Sequence, residues 1–191
     1  AYIYSWISLK EYFLIGPKTK ECFDDFGKDV IPTMLNEGIE MYAYPFKGYW
    51  RDVGTIESLW EANMDLIKTP EAVDLSDPHW RIYTNTMDLP PQYIGKDANV
   101  KSSLIADGCS VLGSVENTVL SHKVEVGEGS IIRNSVVMPN VTIGKNVTIE
   151  KAMIAEGAVI KDNAVIKSDI DEISVISEYE VVEAQKEKVE A

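Results

Sequence analysis

The residues best suited to chemistry in this 191-residue chain are Tyr49-Trp50-Arg51-Asp52-Val53-Gly54-Thr55. They put a carboxylate at the expected end of a strand, a glycine two residues on where a ligand can approach the backbone, and a helix start directly after. Asp52 beside a helix N-terminus suits a metal-bound phosphate, because hard cations take oxygen ligands and unpaired helix N–H groups face an anion. The same residues have a structural use, with Asp52 capping the helix at Thr55 or pairing with Arg51. Lys28 and Asp29 form a second cation and carboxylate that could hold phosphate and move a proton. Asp25 to Pro32 is a helical pattern, however, and it predicts Lys28 in solvent with the acids capping or pairing.

The elements that must position these groups follow α/β grammar up to residue 70. Tyr2 to Trp6 reads as a buried strand, and Ser8-Leu-Lys-Glu11 reads as a capping box opening a helix that Gly16 can close. A second helix is expected from Thr19 or Lys20 to Asn36-Glu-Gly38, with a break at Pro32, and then an extended segment from Ile39 to Tyr49. Thr55 can cap a further helix with Ile56, Leu59, Trp60 and Ile67 on one face and Pro70 just beyond its end. Residues 71–93 are aperiodic and rich in proline. Trp80, Ile82, Tyr83 and Leu89 predict that this linker is packed rather than free.

From residue 94 the pattern changes. Val141, Val147, Met153, Val159 and Val165 recur every six residues, with Ile154, Ile160 and Ile166 one place behind the last three. Six is neither the helical period of about 3.6 nor the strand period of 2, so it counts one short strand plus one turn. Three such units close a triangular coil, and stacked coils make a parallel β-helix of hexapeptide type. Glycine or asparagine punctuates the run at Gly95, Asn99, Gly108, Gly113, Asn117, Gly127, Gly129, Asn134, Asn140, Gly144, Asn146, Gly157 and Asn163, as tight corners demand. Asn140-Val-Thr142 and Asn146-Val-Thr148 match the glycosylation pattern, but their six-residue offset marks them as copies of a corner. Between Ala106 and Pro139 spacings of four and five intrude, which predicts a loop or an irregular coil.

The domain boundaries expected are therefore 1–70, a linker over 71–93, the β-helix over 94–177 and a charged tail over 178–191. A net charge of -13 makes nucleic acid and anionic membranes poor partners. Cys22 and Cys109 are too few for a disulfide framework and are not spaced for zinc, which points to a reducing, cytoplasmic setting. No membrane span is legible.

Asp25-Phe-Gly-Lys-Asp-Val-Ile-Pro32, Tyr49-Trp-Arg-Asp-Val-Gly-Thr55, Trp60-Glu-Ala-Asn63, Leu89-Pro-Pro91 and Ser114-Val-Glu-Asn117, followed by the hexads, resemble the C-terminal half of the bacterial ADP-glucose pyrophosphorylases, the glucose-1-phosphate adenylyltransferases. The resemblance covers essentially the whole chain. It implies a mixed fold: an α/β remnant of a Rossmann-like nucleotidyltransferase domain, followed by a left-handed parallel β-helix. It further implies ADP-glucose and pyrophosphate made from ATP and glucose 1-phosphate for glycogen synthesis, with Mg²⁺ held by two aspartates, of which Asp52 is one. The β-helix would then serve oligomerisation and regulation in a homo-oligomer, a tetramer in the family, with or without a paralogous subunit.

The other aspartate, the nucleotide loop and the sugar-phosphate lysine belong to the family's N-terminal half. No catalytic set is complete in this chain, its substrate-binding residues are unknown, and taken alone it is expected to be inactive. Three alternatives stay open: a non-catalytic regulatory subunit of the same lineage, another sugar-phosphate nucleotidyltransferase, and a hexapeptide acyltransferase using His122. His79, in the linker, is expected to be structural or exposed.

Overall fold

Thr142 pairs with Val159, Thr148 with Val165 and Val136 with Met153, each 17 residues apart, so one coil is one residue shorter than three hexads. The computed structural model describes residues 2–13, 25–73, 75, 77–84, 87–167 and 172–184. They fall into two compact units, Ala1–Lys47 and Gly48–Ala191.

In the first unit, the extended Tyr2–Ser5 segment leads into helix α1, Trp6–Phe13. The expected strand does not form. The Tyr2 and Tyr4 rings instead lie 5.9 and 5.4 Å from that of Phe26. Ser8 is already inside α1, so it caps nothing; the first turn closes from Leu9 N–H to Ser5 O at 2.9 Å. Gly16, Thr19 and Lys20 lie outside the described residues. The second helix starts as a wide π turn, Phe26–Val30, and tightens into α2, Ile31–Asn36. The change of winding precedes Pro32, whose missing N–H and bulky ring exclude a regular α turn behind it. Gly38, at φ +73°, ends the helix with its N–H on Leu35 O. Tyr12, Val30 and Met34 form this unit's small core.

The second unit is a parallel β-solenoid with one helix seated on it. Its first sheet runs Tyr93–Ile94, Ser110–Val111, Glu125–Val126, Thr142–Ile143, Val159–Ile160 and Val181–Val182. The second runs Asn99–Lys101, Ser114–Glu116, Ile131–Arg133, Thr148–Glu150 and Val165–Ile166, and the third Leu104–Ile105, Val119–Leu120, Val136–Val137, Ala152–Ile154 and Ser174–Ile176. Sides of six, five and six residues make the coil, so a strict six-residue rhythm drifts out of phase with the inward positions. Val141 and Val147 point inward with Ile143 and Ile149, but the five-residue side brings the inner position forward. Ile154, Ile160 and Ile166 therefore continue the core, while Met153 faces outward and Val165 is 48% exposed. Each fully buried isoleucine contributes about 1.5–3 kcal/mol.

The expected irregularity between Ala106 and Pro139 is shorter sides rather than a loop: Ser110 pairs with Glu125 and Asn99 with Ser114, 15 residues apart. The long coil comes last. Val159 pairs with Val181, and the extra residues fall between Ile166 and Ser174. The final strand, Val181–Val182, lies within what was expected to be the charged tail.

Corners take positive φ at Asn117, Asn134 and Lys151, at Gly108, Lys123, Asn140 and Gly157, and at Gly129, Asn146 and Asn163. Gly127 has a different reason to be glycine: a Cβ there would sit 2.4 Å from Gly144 O in the next coil. The buried hydroxyls also tie coil to coil. Ser135 Oγ accepts Ala152 N–H at 3.1 Å and Ser130 Oγ accepts Val147 N–H at 3.0 Å, so no buried donor in these pairs is left orphaned.

The third sheet is covered by helix α3, Ile56–Lys68, which carries Met64, Leu59, Trp60 and Ile67 against Val136, Met153 and Val119. By packing, the chain divides between residues 47 and 48, because the helix buries its apolar face on the coils. Ile56, expected on that face, is exposed. In the linker Trp80, Ile82 and Tyr83 are exposed too, whereas Leu89 is half-buried and Gly108 N–H donates to Pro90 O.

Candidate metal-binding turn

Thr55 starts α3 by a capping box: its hydroxyl accepts Ser58 N–H at 3.2 Å and Ser58 Oγ accepts Thr55 N–H at 3.1 Å. The cap fixes the direction of the four residues before it. Asp52 is exposed, and its Oδ1 accepts Gly54 N–H at 3.1 Å. A Cβ at residue 54 would meet that oxygen at 3.3 Å, so glycine lets the carboxylate fold back on its own turn. Residues 49–52 belong to no strand, so the turn is held by side chains rather than by a sheet end.

Those side chains were not expected from the sequence. Arg51 does not pair with Asp52; its guanidinium bridges Glu61 and Asp65, with Nη2 2.8 Å from Asp65 Oδ2. Tyr49 donates its hydroxyl to the same Asp65 oxygen at 3.0 Å. Burial first, and then that bond to Asp65, push the Tyr49 hydroxyl above its ordinary pKa. The one available signal was the spacing of Glu61 and Asp65, two acids four apart on a helix, which aims both at one cation.

Asp52 thus offers one oxygen bound by backbone and a second, Oδ2, with no partner among the described residues. That fits a single ligand of Mg²⁺, a hard cation that takes one or two carboxylates and fills its sphere with phosphate and water. No group of three or more His, Cys, Asp and Glu side chains that could hold a metal occurs among the described residues.

The other candidates lie apart from this turn. Asp25 caps the second helix, accepting Gly27 N–H at 2.7 Å and Lys28 N–H at 2.9 Å, and Asp29 Oδ2 accepts Asp25 N–H. Lys28 is exposed. His122 sits at a coil corner, where its carbonyl accepts Asn140 N–H; its Nδ1 is buried without a hydrogen-bond partner among the described residues. His79 is exposed. Cys109 is buried and unpaired by disulfide, its thiol on Ser121 O, and burial pushes its pKa up. Cys22 lies outside the described residues.

Two family models match the chain: "Nucleotidyl transferase" over residues 1–69, and "GlmU-like, C-terminal hexapeptide" over residues 91–184. The chain is 62% identical over 183 residues to a glucose-1-phosphate adenylyltransferase of Clostridioides difficile (strain 630), covering 95% of this chain and 47% of that protein. The chain belongs to the glucose-1-phosphate adenylyltransferase family. A relative of the same name in Clostridium botulinum (strain Alaska E43 / Type E3) is 53% identical over 135 residues, covering 71% of this chain and 35% of the relative. Another in Bacillus cereus (strain ATCC 10987 / NRS 248) is 50% identical over 142 residues, covering 74% and 38%. The chain therefore spans less than half the length of these curated relatives.

The nucleotidyl transferase match ends on Thr69, the C-cap of α3. In this family member the helix bearing the Asp52 turn is thus nucleotidyltransferase by sequence, while by packing it belongs to the coils. No helix among the described residues is long and apolar enough to cross a membrane.

Proposed function

We propose that this chain is the C-terminal part of an enzyme that makes ADP-glucose and pyrophosphate from ATP and glucose 1-phosphate, with Asp52 as one of two Mg²⁺ ligands. The observation that carries the reading is the 62% identity to an adenylyltransferase across 95% of the chain. In the reaction a phosphate oxygen of glucose 1-phosphate attacks the α-phosphorus of ATP in line; the new P–O bond forms as the bond to the bridging oxygen breaks and pyrophosphate leaves. Mg²⁺, when bound, neutralises the charge that builds on the phosphoryl oxygens. Asp52 presents its open Oδ2 from a turn whose shape Gly54 and the Thr55 cap maintain. Most of the catalytic effect of such a site comes from holding the reacting groups in line and from preorganised charge. The second aspartate and the residues that read the base and the sugar lie outside this chain.

The same reading gives a cytoplasmic homo-oligomer, a tetramer, in which the solenoid supplies subunit contacts, with or without a paralogous subunit. Its test is product analysis with the complete enzyme and each of ATP, UTP and GTP together with glucose 1-phosphate. ADP-glucose from ATP is the expected product. Preference for another nucleotide, or no nucleotide sugar at all, would overturn the assignment.

A further inference from the structure

The three residues before Asp52 are anchored by contacts that leave its own carboxylate free of them. Residues 49–51 are tied to α3 at three points: Arg51 to Glu61, Arg51 Nη2 to Asp65 Oδ2 at 2.8 Å, and the Tyr49 hydroxyl to that same oxygen at 3.0 Å. Glu61 and Asp65 stand one helical turn apart, and the Asp65 side chain is 20% exposed, so the clamp is partly shielded from water. Planar guanidinium can hold two carboxylates in fixed directions at once; an ammonium cannot. The adjoining face of α3 is fixed in turn. Met64 is 1% exposed against Val136 and Met153, and Trp60 Nε1 donates to Asn134 O at 2.9 Å. The backbone at Asp52 is therefore referenced to the solenoid, through α3, by a residue that pairs with Glu61 and Asp65 and not with Asp52 itself.

We propose that Arg51 is a positioning residue for metal binding: by locking residues 49–51 to Glu61 and Asp65 it sets where the Asp52 carboxylate stands, and hence the affinity of the site for its divalent cation. This rests on the reading of Asp52 as a metal ligand. Residues that only orient a ligand characteristically cost about 10- to 100-fold in metal affinity when removed. Chemistry at full occupancy should suffer much less.

The test is Mn²⁺ titration of the complete enzyme, read by electron paramagnetic resonance without turnover, alongside the Mn²⁺ dependence of ADP-glucose formation. Arg51→Ala and Asp65→Asn should each weaken Mn²⁺ binding about 10- to 100-fold, with turnover returning as Mn²⁺ is raised. Arg51→Lys should fall between them and the parent protein. Asp52→Asn should lose the site without rescue. Unchanged Mn²⁺ affinity in Asp65→Asn and Arg51→Lys, with Asp52→Asn still deficient, overturns the positioning role while leaving Asp52 as the ligand. Parent-like Mn²⁺ binding in Asp52→Asn overturns the ligand itself. Should Arg51→Ala not fold, Asp65→Asn decides the question, because it keeps the shape of the side chain and removes the charge that Arg51 grips.

Discussion

The indole of Trp60 donates to the backbone carbonyl of Asn134, 2.9 Å away and 74 positions along the chain. That carbonyl belongs to a coil corner held at φ +49°, so the helix is fastened to a rigid point of the solenoid. The lysine ammoniums of Lys68 and Lys151 lie 5.7 and 5.9 Å from the Trp60 ring centroid, close enough for attraction to its face.

Met64→Ala should loosen this contact most, since Met64 is buried against Val136 and Met153. Emptying a buried methionine site costs about 2–5 kcal/mol. Amide hydrogen exchange should speed up throughout α3 while the strands keep their protection. Equal loss in both would mean that the helix and the coils unfold as one unit.

A second pair of substitutions tests the 17-residue coil. Ile149 is fully buried and Val165 is half exposed. Ile149→Ala should cost about 2–5 kcal/mol in denaturant unfolding, whereas Val165→Ala should stay within about 1 kcal/mol. The hexad pattern read without its five-residue side puts Val165 on the axis, and comparable losses would favour that register.

The solenoid, its corners and the capped helix α3 were legible because each rests on local chemistry: glycine and asparagine at tight corners, aliphatic residues at a regular spacing, and Thr55 at a helix start. The inward column was harder to read. Met153 and Val165 keep the six-residue rhythm yet face out, because one deleted residue per coil shifts the phase and leaves the composition unchanged. The strand read at Tyr2 to Trp6 failed for a related reason: apolar and aromatic content marks a segment for burial, but it cannot supply a strand partner. Asp52 was visible as a carboxylate beside a helix start. Its Arg51 clamp was not, since an arginine next to an aspartate in sequence suggests that pair first, and only the geometry of α3 turns Arg51 toward Glu61 and Asp65.

Gly127→Ala is expected to destabilise the solenoid although residue 127 has no positive φ. The added methyl would lie 2.4 Å from Gly144 O, and overpacking of this kind costs roughly 1–3 kcal/mol. Thermal unfolding measures it; an unchanged melting temperature would mean that adjacent coils can move apart freely.

The cap at Asp25 makes a pH prediction. Backbone N–H groups of Lys28 and then Gly27 hold its carboxylate below the ordinary value of 3.8. A depressed carboxylate contributes stability that is present above its unfolded pKa and is lost as pH falls through the lower folded value. Carboxyl NMR titration should place Asp25 below 3.8, with loss of helical signals over residues 26–36 only under that pH. Titration at or above 3.8 would remove the cap from the account.

The most direct measurement is the turnover of Asp52→Asn in the complete enzyme at saturating Mg²⁺, with ATP and glucose 1-phosphate. The substitution keeps the shape of the side chain and removes the charge a metal needs. Circular dichroism should match the parent protein, and ADP-glucose formation should fall by about 10²-fold or more. Near-parental turnover at saturating Mg²⁺ would contradict the assignment of Asp52.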